Sequence, residues 1–99
     1  MKAYEHLVKY ALNKGYVISV WDGEEWQVKR SAECSEIISA IESVEEAELK
    51  VYNDLKKPTW VWVSAYGLED EETLIDYNDN QFMKDVEEDY ENLQNLQNL

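Results

Sequence analysis

The chain has 99 residues, of which 44% are hydrophobic, and its 22 acidic side chains outnumber nine basic ones, giving a formal net charge of −13 at pH 7. This length is typical of one domain, and the hydrophobic content is enough for a packed core, which excludes wholesale disorder. A surface this negative argues against direct binding to nucleic acid or to anionic lipid.

The sequence also indicates the compartment. The single cysteine, Cys34, leaves no internal disulfide, which is typical of a reducing environment. No apolar run approaches the ~20 residues of a membrane span, and the N-terminal residues lack the apolar stretch of a signal peptide. We therefore expect a cytoplasmic protein that does not bind membranes.

The first predicted element is an amphipathic helix. Apolar side chains recur at intervals of three and four residues from Tyr4 to Leu12, which predicts a helix over about Lys2–Lys14. Gly15 can adopt the left-handed conformation that ends a helix. His6, the one histidine, lies off the apolar positions, so we expect it to be exposed rather than a ligand or a general base.

A β-hairpin is predicted next, with strands over residues 16–21 and 26–30 that are rich in β-branched and aromatic side chains. A three-residue loop, Trp21–Gly23 with a left-handed Gly23, collects the apolar side chains on one face, whereas a plain two-residue turn does not. The expected pairs are Val20 with Glu24, Ile18 with Trp26 and Tyr16 with Val28. At this loop, Trp21 is the best candidate for an exposed binding anchor.

The middle of the chain predicts a helix and two further strands. Serine caps followed by apolar residues at helical spacing predict a helix over about Ala32–Ser43. Alternation predicts a strand over residues 47–52, and Asp54–Pro58 indicates an exposed turn. Residues 59–66 are apolar on both faces, as is typical of a central strand.

An acidic loop and a final helix complete the predicted elements. The loop covers residues 68–80, and Leu74, Ile75 and Tyr77 are expected to anchor it to the core. Helical spacing then resumes and predicts a last helix over about Gln81–Leu93.

The predicted fold is α+β, with a single domain over residues 1–93 and a frayed tail over residues 94–99. In the order α-β-β-α-β-β-α, two hairpins form a four-stranded, mainly antiparallel sheet with helices on one face. Either Trp60 and Trp62 or the intervening valines must then point away from the helices. An uncovered apolar sheet face would mark an interface with a partner or a second copy.

A partial calcium-loop pattern precedes the last helix. Asp76, Asn78, Asn80 and Glu87 occupy positions 1, 3, 5 and 12 of the pattern. Gln81 occupies the position that needs glycine for a sharp turn, and no helix is predicted before the loop. An acidic loop that continues into a helix is the better interpretation, so we expect no metal and no other cofactor.

No catalytic motif is present in the sequence. With one histidine and one cysteine, we expect neither a zinc site nor a Cys–His nucleophile pair. Acidic pairs such as Glu24–Glu25 and Glu87–Glu88 are numerous. Nothing in the sequence indicates that one of these pairs has the two different environments that acid–base catalysis needs, rather than lying on a solvated surface. A glycine-rich phosphate loop and a Ser/His/Asp set are both missing. We expect a protein that is not an enzyme.

The acidic residues are concentrated towards the C-terminus. Residues 67–99 hold 11 of the 22 acids and one base, Lys84, and so have a net charge of −10. The acids are Glu69, Asp70, Glu71, Glu72, Asp76, Asp79, Asp85, Glu87, Glu88, Asp89 and Glu91. On the last helix, five carboxylates fall within ~9 Å of rise, a density similar to one phosphate per ~1.7 Å of duplex DNA. With Trp21, these acids form the predicted partner-binding site; a plain solvated surface is the alternative.

A resemblance to known proteins lies in three stretches, Val17–Trp26, Ile41–Glu48 and Val63–Leu68 followed by Glu72–Tyr77. Together they resemble small acidic proteins encoded by tailed bacteriophages. The resemblance implies no catalytic residues. It implies a phage context, in which small acidic proteins often block host restriction, recombination and CRISPR enzymes, several of them by imitating DNA.

The leading hypothesis is a phage-encoded, non-enzymatic inhibitor in the cytoplasm of the host cell. It would bind a basic host protein, a nuclease or another DNA-binding protein, by imitating the charge of DNA, with no direct contact to nucleic acid or membrane. The alternative is a small structural or regulatory homodimer that uses an apolar sheet face, its acidic residues serving solubility.

Overall fold

The structure is a computed structural model that describes residues 2–52, 58–66, 73–78 and 81–97. These residues form three helices and a five-stranded antiparallel sheet, so the α+β class is confirmed. The helices are α1 (Ala3–Asn13), α2 (Cys34–Glu42) and α3 (Gln81–Gln97). The strands are β1 (Val17–Trp21), β2 (Trp26–Ser31), β3 (Glu46–Tyr52), β4 (Thr59–Ser64) and β5 (Leu74–Tyr77).

The strands are ordered β2-β1-β3-β4-β5, and each pairs antiparallel with its neighbours. Both predicted hairpins, β1–β2 and β3–β4, are present. β2 and β3 lie on either side of β1 and therefore run parallel to each other, so the chain between them needs a crossover, which α2 provides. β4 has a neighbour on each side, as its apolar sequence predicted.

The prediction of four strands was wrong, because the segment before α3 contains a fifth. Leu74–Tyr77 pairs with the open edge of β4. Leu74 and Tyr77 pack against the core, as expected of anchors, whereas Ile75 is 46% exposed. A strand of four residues has too few alternations to be recognised as a pattern, and the unpaired hydrogen-bonding groups along β4 are what hold it in the sheet.

The β1–β2 hairpin departs from the predicted register because Asp22 organises a longer loop. Its carboxylate accepts hydrogen bonds from the backbone N–H groups of Glu24 and Glu25, both at 2.7 Å, and from the side-chain amide of Gln27 at 2.6 Å. The loop therefore runs from Asp22 to Glu25 instead of ending at Gly23, which nevertheless has the expected positive φ, 103°. The observed pairs are Trp21 with Trp26, Val20 with Val28 and Ile18 with Ser31.

The ends of α1 and α3 show where local sequence signals predict the end of a helix and where they do not. α1 ends at Asn13. Gly15, two residues further, has a φ of +86°, and its N–H donates to the carbonyl of Leu12 at 3.0 Å, which confirms the predicted left-handed ending. α3 continues to Gln97, beyond the predicted end at Leu93. Residues 54–57 of the predicted turn and residues 68–72 and 79–80 of the predicted acidic loop lie outside the described residues.

The helices pack on one side of the sheet, called here the inner face; the opposite side is the outer face. Alternation along β3 and β4 sends Leu49 and Val61 into the core, where both are buried. Trp60 and Trp62 alternate with Val61 and Val63 along β4 and are 37% and 42% exposed on the outer face. The largest fully buried side chains are Tyr4, Leu7, Ile18, Ile37, Ile41, Leu49 and Met83.

Leu49→Ala should destabilise the fold by about 3 kcal/mol, because Leu49 is fully buried in the middle strand and its truncation leaves a cavity. Ile75→Ala, at a half-exposed position on the edge strand, should cost less than about 1 kcal/mol. Urea unfolding followed by tryptophan fluorescence measures both. Similar losses for the two variants would contradict a core on the inner face of β3.

Candidate interaction surfaces

The outward side of α3 carries four carboxylates. Phe82, Met83 and Val86 are buried against the core and fix the rotation of the helix about its axis. With successive residues about 100° apart, the carboxylates opposite this buried stripe project over one arc of roughly 160°. They belong to Asp85, Glu87, Glu88 and Glu91, which we call the acidic face. Lys84 lies within the same arc and lowers its net negative charge by one.

The other acids of the predicted site do not belong to this arc. Asp76 lies on β5 opposite Trp62, on the outer face of the sheet. Asp89 turns towards α1; it follows Val86 by three residues and so lies beside the buried stripe, a spacing already visible in the sequence. The remaining predicted acids, Glu69, Asp70, Glu71, Glu72 and Asp79, lie outside the described residues.

His6 is buried between α1 and α3, so the prediction that it is exposed was wrong. Its side chain is 6% exposed, and its Nε2 lies 3.0 Å from Oδ2 of Asp89. The ring centroids of Tyr10 and Tyr90 are 6.2 and 5.3 Å away. α3 covers a second stripe of α1 beside the apolar one, and the periodicity of α1 alone cannot reveal that neighbour.

Burial favours the neutral imidazole of His6, although the Asp89 carboxylate lies nearby. Burial lowers the pKa of His6 below 6.5, its ordinary value, because desolvation disfavours the imidazolium. The Asp89 carboxylate raises this pKa and Lys9 lowers it, but burial is the largest effect. Although the Nε2–Oδ2 distance is short, its alignment lies outside hydrogen-bond geometry, and Nε2 has no hydrogen-bond partner among the described residues.

A cleft of about 440 Å³ borders the acidic face. It is lined by Ala3 of α1, by Leu74 and Tyr77 of β5, and by Val86, Glu87, Tyr90 and Glu91 of α3. Glu87 and Glu91 are exposed and one helical turn apart. This combination suits an arginine or lysine side chain, whose apolar stem can lie on Leu74 and Val86 while its cation meets carboxylates and aromatic rings.

Tryptophans form a connected group on the outer face. The ring of Trp26 lies 5.0 Å from that of Trp21, edge to face, and 6.5 Å from that of Trp60, nearly parallel. Trp21 is the last residue of β1 and is half-buried, so it is not the exposed loop anchor that the sequence predicted. The more exposed rings are those of Trp60 and Trp62 on β4.

Cations cluster beside one part of this aromatic group, which we call the cationic end. The guanidinium of Arg30 lies 4.6 Å from the centroid of the Tyr52 ring. The ammonium of Lys50 lies 5.5 Å from Tyr52 and 5.0 Å from Trp60. A bulge in β2 redirects Arg30: its φ is +46°, and its N–H donates to Oγ of Ser19 at 2.8 Å in place of a regular ladder bond.

Carboxylates flank the other part of the group, which we call the acidic end. Glu48 of β3 and Asp76 of β5 lie opposite Trp62 on its two sides. Together with Trp60 and other side chains they line a shallow depression of about 200 Å³. This separation of charge was not predicted from the sequence, although alternation along β3 places Glu48 and Lys50 on one side of the strand.

The calcium-loop pattern has no helix before it. Asp76 is part of β5, so a strand precedes Asn78 where an EF-hand has a helix. Within the described ranges, three or more His, Cys, Asp or Glu side chains do not come together in a way that could hold a metal. Cys34 is half-buried at the start of α2. The helices of the described residues are too short or too polar to cross a bilayer.

The pKa of His6 predicts that stability falls as the pH drops below 6.5. The folded-state pKa lies below the unfolded value, so the unfolded chain binds the proton first and is stabilised relative to the folded one. Above pH 6.5 the neutral form is present in both states and the full stability is retained. Urea midpoints at about pH 7.5 and about pH 5.5 measure the loss.

His6→Gln should reduce this loss, and Asp89→Asn, which removes the carboxylate that raises the pKa, should shift the imidazole titration to lower pH. An NMR titration of His6 provides the second measurement. A midpoint above 6.5 in the wild-type chain would contradict the burial of a neutral imidazole.

The meaning of these surfaces has to be taken from the chain itself. No protein-family model, curated protein or solved structure matches it.

Proposed function

We propose that this protein is a non-enzymatic, phage-encoded inhibitor that binds a basic, nucleic-acid-handling host protein through its acidic face. The supporting observation is the presence of four carboxylates on one arc of a helix that is anchored to the core by Phe82, Met83 and Val86. Like charges held close together destabilise the compact state by mutual repulsion. A complementary basic surface removes that repulsion on binding and speeds association.

The spacing of the carboxylates supports imitation of a nucleic-acid strand. From Asp85 to Glu91 the helix rises ~9 Å, and one DNA strand presents a phosphate every ~3.4 Å along the same distance. Four carboxylates less the charge of Lys84 leave three net charges, close to the charge of one strand over this length. Because Asp89 turns towards α1 and Lys84 cancels one charge, the density falls from that of a DNA duplex to that of one of its strands.

The cleft beside the acidic face supports a partner rich in arginine and lysine. Glu87 and Glu91 stand beside the apolar side chains of Leu74 and Val86. Proteins that bind the DNA backbone present flexible cationic side chains, which have the apolar stem and charged head that this cleft accommodates. The same negative charge repels nucleic acid, so the proposed target is the DNA-binding protein and not the DNA.

The context of the proposal is the cytoplasm of a bacterial host. The resemblance of Val17–Trp26 and the other two stretches to acidic phage proteins supports this context. A basic nuclease or another DNA-binding protein is the partner class that its chemistry favours. Binding should weaken as salt rises, because the Debye length falls from ~10 Å at 0.1 M to ~3 Å at 1 M.

Neutralising the acidic face should weaken binding. The variant D85N/E87Q/E88Q/E91Q keeps the side-chain shapes and removes four charges. At ~0.5 kcal/mol for each exposed ion pair, the affinity should fall by about 30-fold. Immobilised protein is exposed to an extract of host bacteria, and the retained proteins are quantified at low salt, at high salt and after addition of duplex DNA.

A matched control separates the acidic face from net charge. E24Q/E25Q/E33Q/E45Q removes four exposed charges away from α3 and should retain the same proteins as the wild-type chain. Duplex DNA should release them. Equal retention by both variants, or retention that duplex DNA does not reduce, would contradict imitation of DNA by the acidic face.

A further inference from the structure

The outer face combines exposed aromatic rings with nearly balanced charge in a strongly acidic chain. Trp60 and Trp62 are 37% and 42% exposed on adjacent outward positions of one strand. Large apolar rings on a rigid sheet are typical of a surface that is covered by another molecule. The covering molecule has to suit a surface on which cations and carboxylates occupy different ends.

The distribution of charge identifies the molecule that fits. Arg30 and Lys50 lie at the cationic end, beside Tyr52, and Glu48 and Asp76 lie at the acidic end, beside Trp62. A two-fold axis that lies between two stacked sheets and passes between these ends brings the cationic end of each copy against the acidic end of the other. Such a surface is complementary to itself, as an isologous interface requires.

We infer that the outer face of the sheet is a homodimer interface, in which Lys50 of each copy faces Glu48 of the other around a centre formed by the tryptophans. A nucleic-acid strand fits this face less well, because it meets two carboxylates at the acidic end. A uniformly basic protein meets two cations at the other end. A second copy satisfies both ends at once.

The size of the face sets the strength of the dimer. Five strands ~4.8 Å apart and about six residues long cover a flat area of roughly 500 Å². The side chains that project from the sheet add to this area. A standard stable complex buries ~800 Å² per partner, so we expect a reversible dimer with a dissociation constant in the micromolar range, on the order of 10 µM. Salt screens the repulsion between two chains of charge −13 more than it screens charge pairs covered by the interface, so the dimer should become tighter as salt is added.

The opposite response to salt keeps this inference distinct from the proposed inhibitor. Binding of a basic partner by the acidic face weakens with salt, whereas association of two acidic chains strengthens. The acidic face lies on α3, on the inner side of the sheet, so the D85N/E87Q/E88Q/E91Q variant should retain the dimer. Failure of one proposal leaves the other intact.

Sedimentation velocity of the full chain from about 1 µM to about 200 µM tests the dimer. Trp62→Ala removes the more exposed ring and should raise the dissociation constant about tenfold. Leu96→Ala, which truncates a 66% exposed leucine on α3, is the matched control and should leave it unchanged. Thermal unfolding verifies that both variants fold.

A charge exchange tests the pairing itself. Lys50→Glu should weaken the dimer more than Lys9→Glu, which makes the same change of charge at an exposed position of α1. The double variant E48K/K50E exchanges the two ends of β3 and should recover most of the lost affinity. Recovery is not expected if Lys50→Glu acts only by removing the contacts of Lys50 with Tyr52 and Trp60.

Three results would overturn the inference. The first is a chain that stays monomeric at every concentration and salt. The second is an equal effect of Lys50→Glu and Lys9→Glu on dimerisation. The third is a monomeric chain in which Trp62→Ala weakens binding to a single-stranded oligonucleotide or to a basic peptide, since that would assign the outer face to another partner.

Discussion

One-sided packing of the sheet is the constraint on which the rest of this structure depends. Successive side chains of a strand face opposite sides, so burying Leu49 and Val61 under the helices forces Lys50 and Trp60 to the uncovered side. The helices fill only the inner face. The same packing buries Phe82 and Met83 and thereby fixes which residues of α3 face water. Both surfaces discussed above are consequences of where this single core lies.

The acidic face and the outer face differ in their charge. A chain with 22 acids and nine bases cannot neutralise itself, and self-repulsion is reduced by placing the excess on exposed positions such as Glu87 and Glu91. The outer face differs because it carries bases as well as acids: cation–π contacts hold Arg30 and Lys50 over aromatic rings. Bases are scarce in this chain, and two of them, Arg30 and Lys50, offset the charges of Glu48 and Asp76 on the outer face.

Local periodicity was enough to predict part of this fold. The stripe of α1, its ending at Gly15 and both hairpins depend on neighbours in sequence, and all were found. The loop set by Asp22 depends on one carboxylate that accepts three hydrogen bonds, and no hydrophobic pattern encodes that choice. The fifth strand and the burial of His6 depend on which elements become neighbours in space. Of the site, the acids of α3 were predicted, whereas the cationic end was not.

The geometry makes the two proposals mutually supportive. The acidic face points away from the core on the helix side, whereas a dimer would form on the opposite side of the sheet. Dimerisation would therefore leave both acidic faces accessible and direct them outwards. Two such faces on one body can occupy two basic sites of an oligomeric target, and the second contact then forms at a high effective concentration. Individually weak, exposed ion pairs would gain affinity by this route without any new contact between the acidic face and its target.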